Sequence, residues 1–234
     1  MPAFRVQGKS QQNGASSSTT VAVTLTNVVG VNNSLKVSVG WASNNGDTVT
    51  GVTDDKSNTY TLVDLARNGS SAYTWQSAYL LNAANSPQTV TATISSSRTF
   101  AIILVDEYSG VRVSSAIDGH AINDQGSSTP AGTKFTSGNI TPTTNGDLIY
   151  GSVVNISGAG NQSADTALGY TSRIQANNVF TTEDRIQASA AAVAATFTHT
   201  ATDAPLIFIM AFRTLVQPRP LLVTTQARIR AAHW

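Results

Sequence analysis

Residues 99–110 read TFAIILVDEYSG, and the run Phe100, Ala101, Ile102, Ile103, Leu104, Val105 within them is apolar, unbroken and rich in branched side chains. Such a run predicts a strand covered on both faces. It is too short to span a membrane, and Ser109-Gly110 ends it where a strand should turn. A second run of the same kind, APLIFIMAFRT, follows at residues 204–214, again after a polar loop. Two such strands imply two halves arranged around a common core.

Outward from the central run, the first half reads as a series of half-buried strands. Val21, Val23 and Leu25 alternate with polar residues, as do Leu35, Val37, Val39 and Trp41, and later Val90, Ala92 and Ile94. Residues 54–58, DDKSN, suit a hairpin loop whose Asp and Asn side chains bond their own backbone. The second half repeats the order of motifs. Leu35 matches Leu148, Tyr60 matches Tyr170 and Ile102 matches Ile207, at separations that drift from 113 through 110 to 105 residues. A constant order with a drifting offset is what duplication followed by loop trimming leaves.

The expected architecture is therefore all-β: an antiparallel, jelly-roll-like β-sandwich of about 10–12 strands, built from pseudo-repeats at about 19–110 and 135–214. The two fully apolar strands need cover on both faces, which favours one sandwich with interleaved halves over two small sandwiches in tandem. Residues 111–134 read as a long connection with at most short strands. Residues 1–18 read as a flexible N-terminal arm, 19–216 as the sandwich domain, and 217–234, which follow Pro218-Arg219-Pro220, as a C-terminal arm leaving it.

Charged residues make up only 12% of the 234, about half the usual share, and Ser, Thr, Asn and Gly take their place. With 41% hydrophobic residues in periodic strands the chain should fold. The net charge of +1 is unevenly spread: residues 1–46 carry +3, 47–203 carry −6 and 204–234 carry +4. Basic ends on an acidic body suggest docking on an acidic neighbour. The partner-binding candidates are accordingly Phe4 and Arg5 at one end, and Arg219, Leu221, Leu222, Arg228, Ile229, Arg230 and Trp234 at the other. No apolar leader precedes the body, so classical secretion is not encoded in these residues.

Little in the sequence points to chemistry. The absence of cysteine excludes disulfides, thiolate metal sites and a Cys nucleophile. None of the three His has metal-ligand spacing, and no G-x-S-x-G elbow is present. Asp106 and Glu107 are adjacent in the central strand and must face opposite ways, so they cannot form a facing carboxylate pair. His199 alternates with Thr and reads as a surface residue. Asp47, Asp54 and Asp55 are a weak calcium candidate whose spacing fits no standard loop. Tyr73, Trp75 and Tyr79 share one strand face and could stack on sugars, making them the glycan-binding candidates. No cofactor and no catalytic residue is expected, and neither nucleic acid nor membrane is an expected partner.

Three motifs carry a family resemblance: V-T-D-x-x-x-N-T-Y-T at 52–61, E-Y-S-G-V at 107–111 and N-G-D-L-I-Y-G at 145–151. Over about residues 35–214 the chain resembles a Ser/Thr-rich β-sandwich module of tailed-phage and prophage structural proteins and bacterial surface proteins. The resemblance implies a sandwich fold and a virion, or otherwise an extracellular or cell-surface setting. It implies a non-enzymatic structural protein, a capsid decoration (cement) protein or a tail or fibre component, with copies of itself, a major capsid protein or a tail protein as partners. A carbohydrate-binding module reading a surface glycan, and a self-assembling filament subunit, are the alternatives.

Overall fold

In the computed structural model, residues 3–42, 46–68, 73–124, 129–155, 162–202 and 204–215 are described. They form sixteen strands and a single 3-10 turn at Thr166–Leu168, with no α-helix among them. The first eight strands are β1 (Phe4–Gln12), β2 (Ser18–Thr24), β3 (Ser34–Ala42), β4 (Val49–Asp54), β5 (Thr61–Asn68), β6 (Tyr73–Leu80), β7 (Thr89–Arg98) and β8 (Ile102–Ser109). The second eight are β9 (Ile117–Asp124), β10 (Lys134–Thr136), β11 (Asp147–Val154), β12 (Gln162–Ala164), β13 (Thr171–Ala176), β14 (Phe180–Gln187), β15 (Thr196–His199) and β16 (Leu206–Phe212).

Every pairing between these strands is antiparallel. In the first half a five-stranded sheet has the order β1-β8-β3-β6-β5 and a three-stranded sheet the order β2-β7-β4. In the second half the orders are β9-β16-β11-β14-β13 and β10-β15-β12. Adding eight to each strand number of the first half gives the second. The duplication is thus complete at the level of topology, and each half keeps its own strands rather than interleaving them with the other.

Three cores result. Val37, Val39, Trp41, Val90, Ile103 and their neighbours fill the space between the two sheets of the first half, and Phe135, Ile149, Phe197, Ile207 and Ile209 do the same in the second. The two five-stranded sheets then pack back to back, burying Trp75, Ile102, Leu104, Phe180 and Phe208 between them. That third core explains the unbroken apolar runs. In β8, Ile103 and Val105 face the three-stranded sheet while Ile102 and Leu104 face the other half.

Strand register fixes the equivalence of the halves. Gly40 lies opposite Trp75 as Val154 lies opposite Phe180, and Ser38 opposite Ser77 as Ser152 opposite Thr182. Ser38 is therefore the counterpart of Ser152, and Trp75 that of Phe180. These counterparts touch: Ser38 Oγ donates to Ser152 Oγ at 3.3 Å, and the Trp75 and Phe180 rings stack at 5.3 Å and 14°. Contact between equivalent positions places an approximate twofold axis through the middle of the seam.

Several expectations are corrected by this arrangement. The described residues form sixteen strands rather than 10–12, and two of the unforeseen ones, β1 and β9, are edge strands that begin the halves and that their own sequence hardly signals. β1 is no flexible arm: it pairs with β8 from Phe4 to Gln12. Its counterpart β9 falls inside the expected connection and pairs with β16. The repeats therefore begin at Phe4 and Ile117, not near 19 and 135. The matches of Leu35 with Leu148 and Ile102 with Ile207 are each one residue out of register. By pairing, Leu35 corresponds to Ile149 and Ile103 to Ile207. A slip of one residue reverses the face, and indeed Leu35 is in a half's own core whereas Leu148 is in the seam.

Lys36 illustrates how tightly the seam closes. Its Nζ lies 3.3 Å from the centre of the Phe212 ring, fully buried and without a hydrogen-bond partner. Burial holds its pKa well below 10.5. The unfolded chain then binds a proton that the folded chain rejects, so stability should rise with pH until about 10.5. Replacing Lys36 by Met keeps the length and removes the desolvation cost. It should stabilise the fold at pH 7 by about 1–3 kcal/mol and flatten the rise between pH 7 and 10, as read by urea denaturation. A destabilised variant would contradict this account.

Candidate functional site

In the seam a cluster of buried charges and aromatic rings opens into a cleft. On one side of the twofold axis the facing positions are apolar, as with Met210 and Phe212; on the other their counterparts are Asp106 and Tyr108. Asp106, on β8, is fully buried and accepts from Arg5 Nε at 2.6 Å, from Thr182 Oγ1 at 2.8 Å and from the Tyr150 hydroxyl at 3.3 Å. Asp184, on β14, accepts from the Tyr108 hydroxyl at 2.6 Å and from both Nε and Nη2 of Arg173 at 2.8 and 2.7 Å. Tyr108 and Tyr150 pack edge to face at 6.2 Å.

The electrostatics follow from burial. Desolvation raises the pKa of Asp106, opposed by the Arg5 charge and by the bonds from Arg5 and Thr182. Tyr108 and Tyr150 are pushed well above 10 by burial first and then by the nearby carboxylates, so both stay protonated as donors. Behind Asp184, on the opposite face of β14, Glu183 is raised to about 9 mainly by desolvation. Its side chain packs where a Cβ on Gly151 would fall, 2.9 Å from Glu183 Oε1.

This network opens into a cleft of about 410 Å³ between the edge strands β1 and β13. Arg5, Arg173, Arg185 and Asp184 supply its charges, Tyr108 and Leu148 line it, and Phe4 and Ile186 border it. Arg185 lies over the Tyr170 ring at 4.7 Å and donates to the Leu168 carbonyl and to Gln187 Oε1. Sequence reading missed Tyr108, Arg173, Asp184 and Arg185. A signal was present, because Asp106-Glu107 and Glu183-Asp184 are both adjacent acids within strands. Each pair sends one carboxylate to the seam and the other to its own half.

The sequence-derived candidates fall elsewhere than expected. Tyr73, Trp75 and Tyr79 do share a face, but that face is the seam: Trp75 is fully buried between Gly40, Phe180 and Phe208, and Tyr79 meets Phe212 edge-on at 5.9 Å. They form no exposed sugar platform. Arg5 is an internal ion-pair partner, while Phe4 remains 49% exposed. His199 is buried and stacked on Phe135 at 3.7 Å rather than on the surface. Asp47 pairs with Arg98 and accepts from Ser95 and Ser96. Asp54 accepts from Lys56 and Asn58 backbone N–H groups and from the Tyr60 hydroxyl, and Asp55 from Gln88 and Thr89. Asp54 is thus engaged within its own loop and Asp47 and Asp55 by residues at the ends of β7, and no His, Asp and Glu cluster fit for a metal ion occurs among the described residues. Arg219, Leu221, Leu222, Arg228, Ile229, Arg230 and Trp234 lie outside the described residues.

No protein-family model matches the chain, and no curated protein does.

Proposed function

We propose that the chain is a non-enzymatic structural protein of a virion, a capsid decoration protein or a tail or fibre component, that holds its place through the basic segment at 217–234. The observation that carries this reading is where that segment departs. The last described residues return to the seam: Thr214 bridges Val111, and the Leu215 N–H donates to the Gly110 carbonyl at 2.8 Å. The described chain thus ends at Leu215 where the two halves meet, and the sequence that follows carries three Arg and no acid, against −6 for residues 47–203. Opposite charge between tail and body favours binding to a neighbouring copy or to a capsid or tail protein of similar charge.

The strand order supports reading each half as a jelly-roll module. With β5 moved to the wider sheet, β1-β8-β3-β6 against β2-β7-β4 is the order two nested Greek keys produce. Packing two modules back to back yields a rigid body with a hydroxyl-rich surface, suited to passive display on a particle. Deleting residues 217–234 should abolish incorporation into particles, measured by co-sedimentation, while leaving the thermal unfolding midpoint of the body unchanged. Undiminished incorporation would overturn the reading. If the purified chain sediments in a concentration-dependent way and the deletion abolishes this, the filament alternative gains instead.

A further inference from the structure

The cleft between β1 and β13 has features that a purely structural seam does not require. Two guanidinium groups are aimed into it and held from behind by carboxylates. Arg5 spends its Nε on Asp106, which is itself fixed by Thr182 and Tyr150. Arg173 spends Nε and Nη2 on Asp184, which is fixed by Tyr108. Both forks therefore keep terminal N–H donors at the cleft, in an orientation set before any ligand arrives.

The charges do not balance. Arg5 with Asp106 and Arg173 with Asp184 are neutral pairs. Arg185 makes no ion pair among the described residues, since its partners are a carbonyl, an amide oxygen and the face of Tyr170. One positive charge is left over, which calls for a single negative charge on the ligand. Asp184 stands in the same wall, and so disfavours a dianion such as phosphate while offering oxygen to a hydroxyl donor. The border supplies the remaining contact: Phe4 is 49% and Ile186 40% exposed, large apolar side chains left open beside charged groups. A flat ring with an apolar face can lie against them. A volume of about 410 Å³ is of the order that a small ligand fills.

We propose that this cleft binds a sugar carboxylate of one-ring size, a uronic acid either free or as a residue of an acidic glycan. The carboxylate lies on the guanidinium donors of Arg185 and Arg173, the ring hydroxyls face Asp184 and Thr171, and the ring lies on Phe4. This is a different site from the buried Tyr73, Trp75 and Tyr79 face, and it does not depend on the role given to residues 217–234.

The test is a calorimetric and NMR titration of the full chain at low salt with glucuronate, glucose, inorganic phosphate and a glucuronate oligomer. Glucuronate should bind in the millimolar range, with glucose and phosphate each at least about tenfold weaker. A gain of tenfold or more for the oligomer identifies a glycan as the source; equal affinity per ring identifies the free acid, and either agrees with the proposal. Arg185→Gln should weaken glucuronate binding about tenfold, as should Phe4→Ser at the exposed border, with unfolding midpoints monitored for both. Phe4→Ser carries the test if Arg185→Gln fails to fold. Equal binding of glucose and glucuronate, phosphate binding as tight as glucuronate, or no response to glucuronate would overturn the proposal.

Discussion

Trp75→Ala should cost about 4 kcal/mol of stability, read as a shift of the urea midpoint at constant slope. The residue has no solvent exposure, stacks on Phe180 at 5.3 Å and meets Phe208 at 6.4 Å, at the axis relating the two halves. Its indole also occupies the space a side chain on Gly40 would need, 2.1 Å from a Cβ built there. Removing it leaves a void bordered by both five-stranded sheets, which neither sheet can fill without breaking its own ladder. The indole N–H is additionally in reach of Ser152 Oγ at 3.4 Å. A loss below about 1 kcal/mol, the result expected of an exposed sugar-stacking platform, would contradict the placement of this face in the seam.

Arg5→Ala should be nearly as damaging, by about 3 kcal/mol at pH 7, because it strands a fully buried carboxylate. Asp106 would keep Thr182 and Tyr150 as donors but lose its counter-charge. The pH dependence has a definite sign. A buried carboxyl whose folded pKa is raised above 3.8 contributes stability that is lost as pH climbs through the folded value. Loss of Arg5 raises that value further, so the penalty of the variant should be small near pH 4 and grow toward pH 7. Denaturation curves at the two pH values measure it. An N-terminal arm free of the body would give no difference at either.

The two central strands were legible because their apolar runs are long enough to demand burial on both sides, and β8 and β16 do lie between two layers. The repeat was legible for the same reason, through Tyr60 and Tyr170, which do occupy matching cores. Register was not, since a run such as Ile102-Ile103-Leu104-Val105 has no polar residue to mark which side is which. β1 and β9 were hidden by being edge strands: FRVQGKSQQ and IDGHAIND are half-exposed, and their structure comes from the ladder offered by β8 and β16 rather than from their own pattern. The aromatic face of β6 carries the periodicity of a half-exposed strand, and only the presence of a second sheet decides whether that face is wet or dry. The arginine cleft needs residues from β1, β13 and β14, brought together by the twofold packing of the two halves, and no local spacing records that.

All of these conclusions depend on the two five-stranded sheets lying back to back with β3 of one against β11 of the other. The chain has no cysteine, so a single engineered pair reports this without interference. Ser38 and Ser152 face each other with their hydroxyl oxygens 3.3 Å apart. In the double variant Ser38→Cys and Ser152→Cys, mild oxidation should close an intramolecular disulfide in nearly all molecules, seen as a faster-migrating monomer on non-reducing gels and a raised unfolding midpoint. Thiols that stay free, or that link only between chains, would mean the halves do not meet in this way.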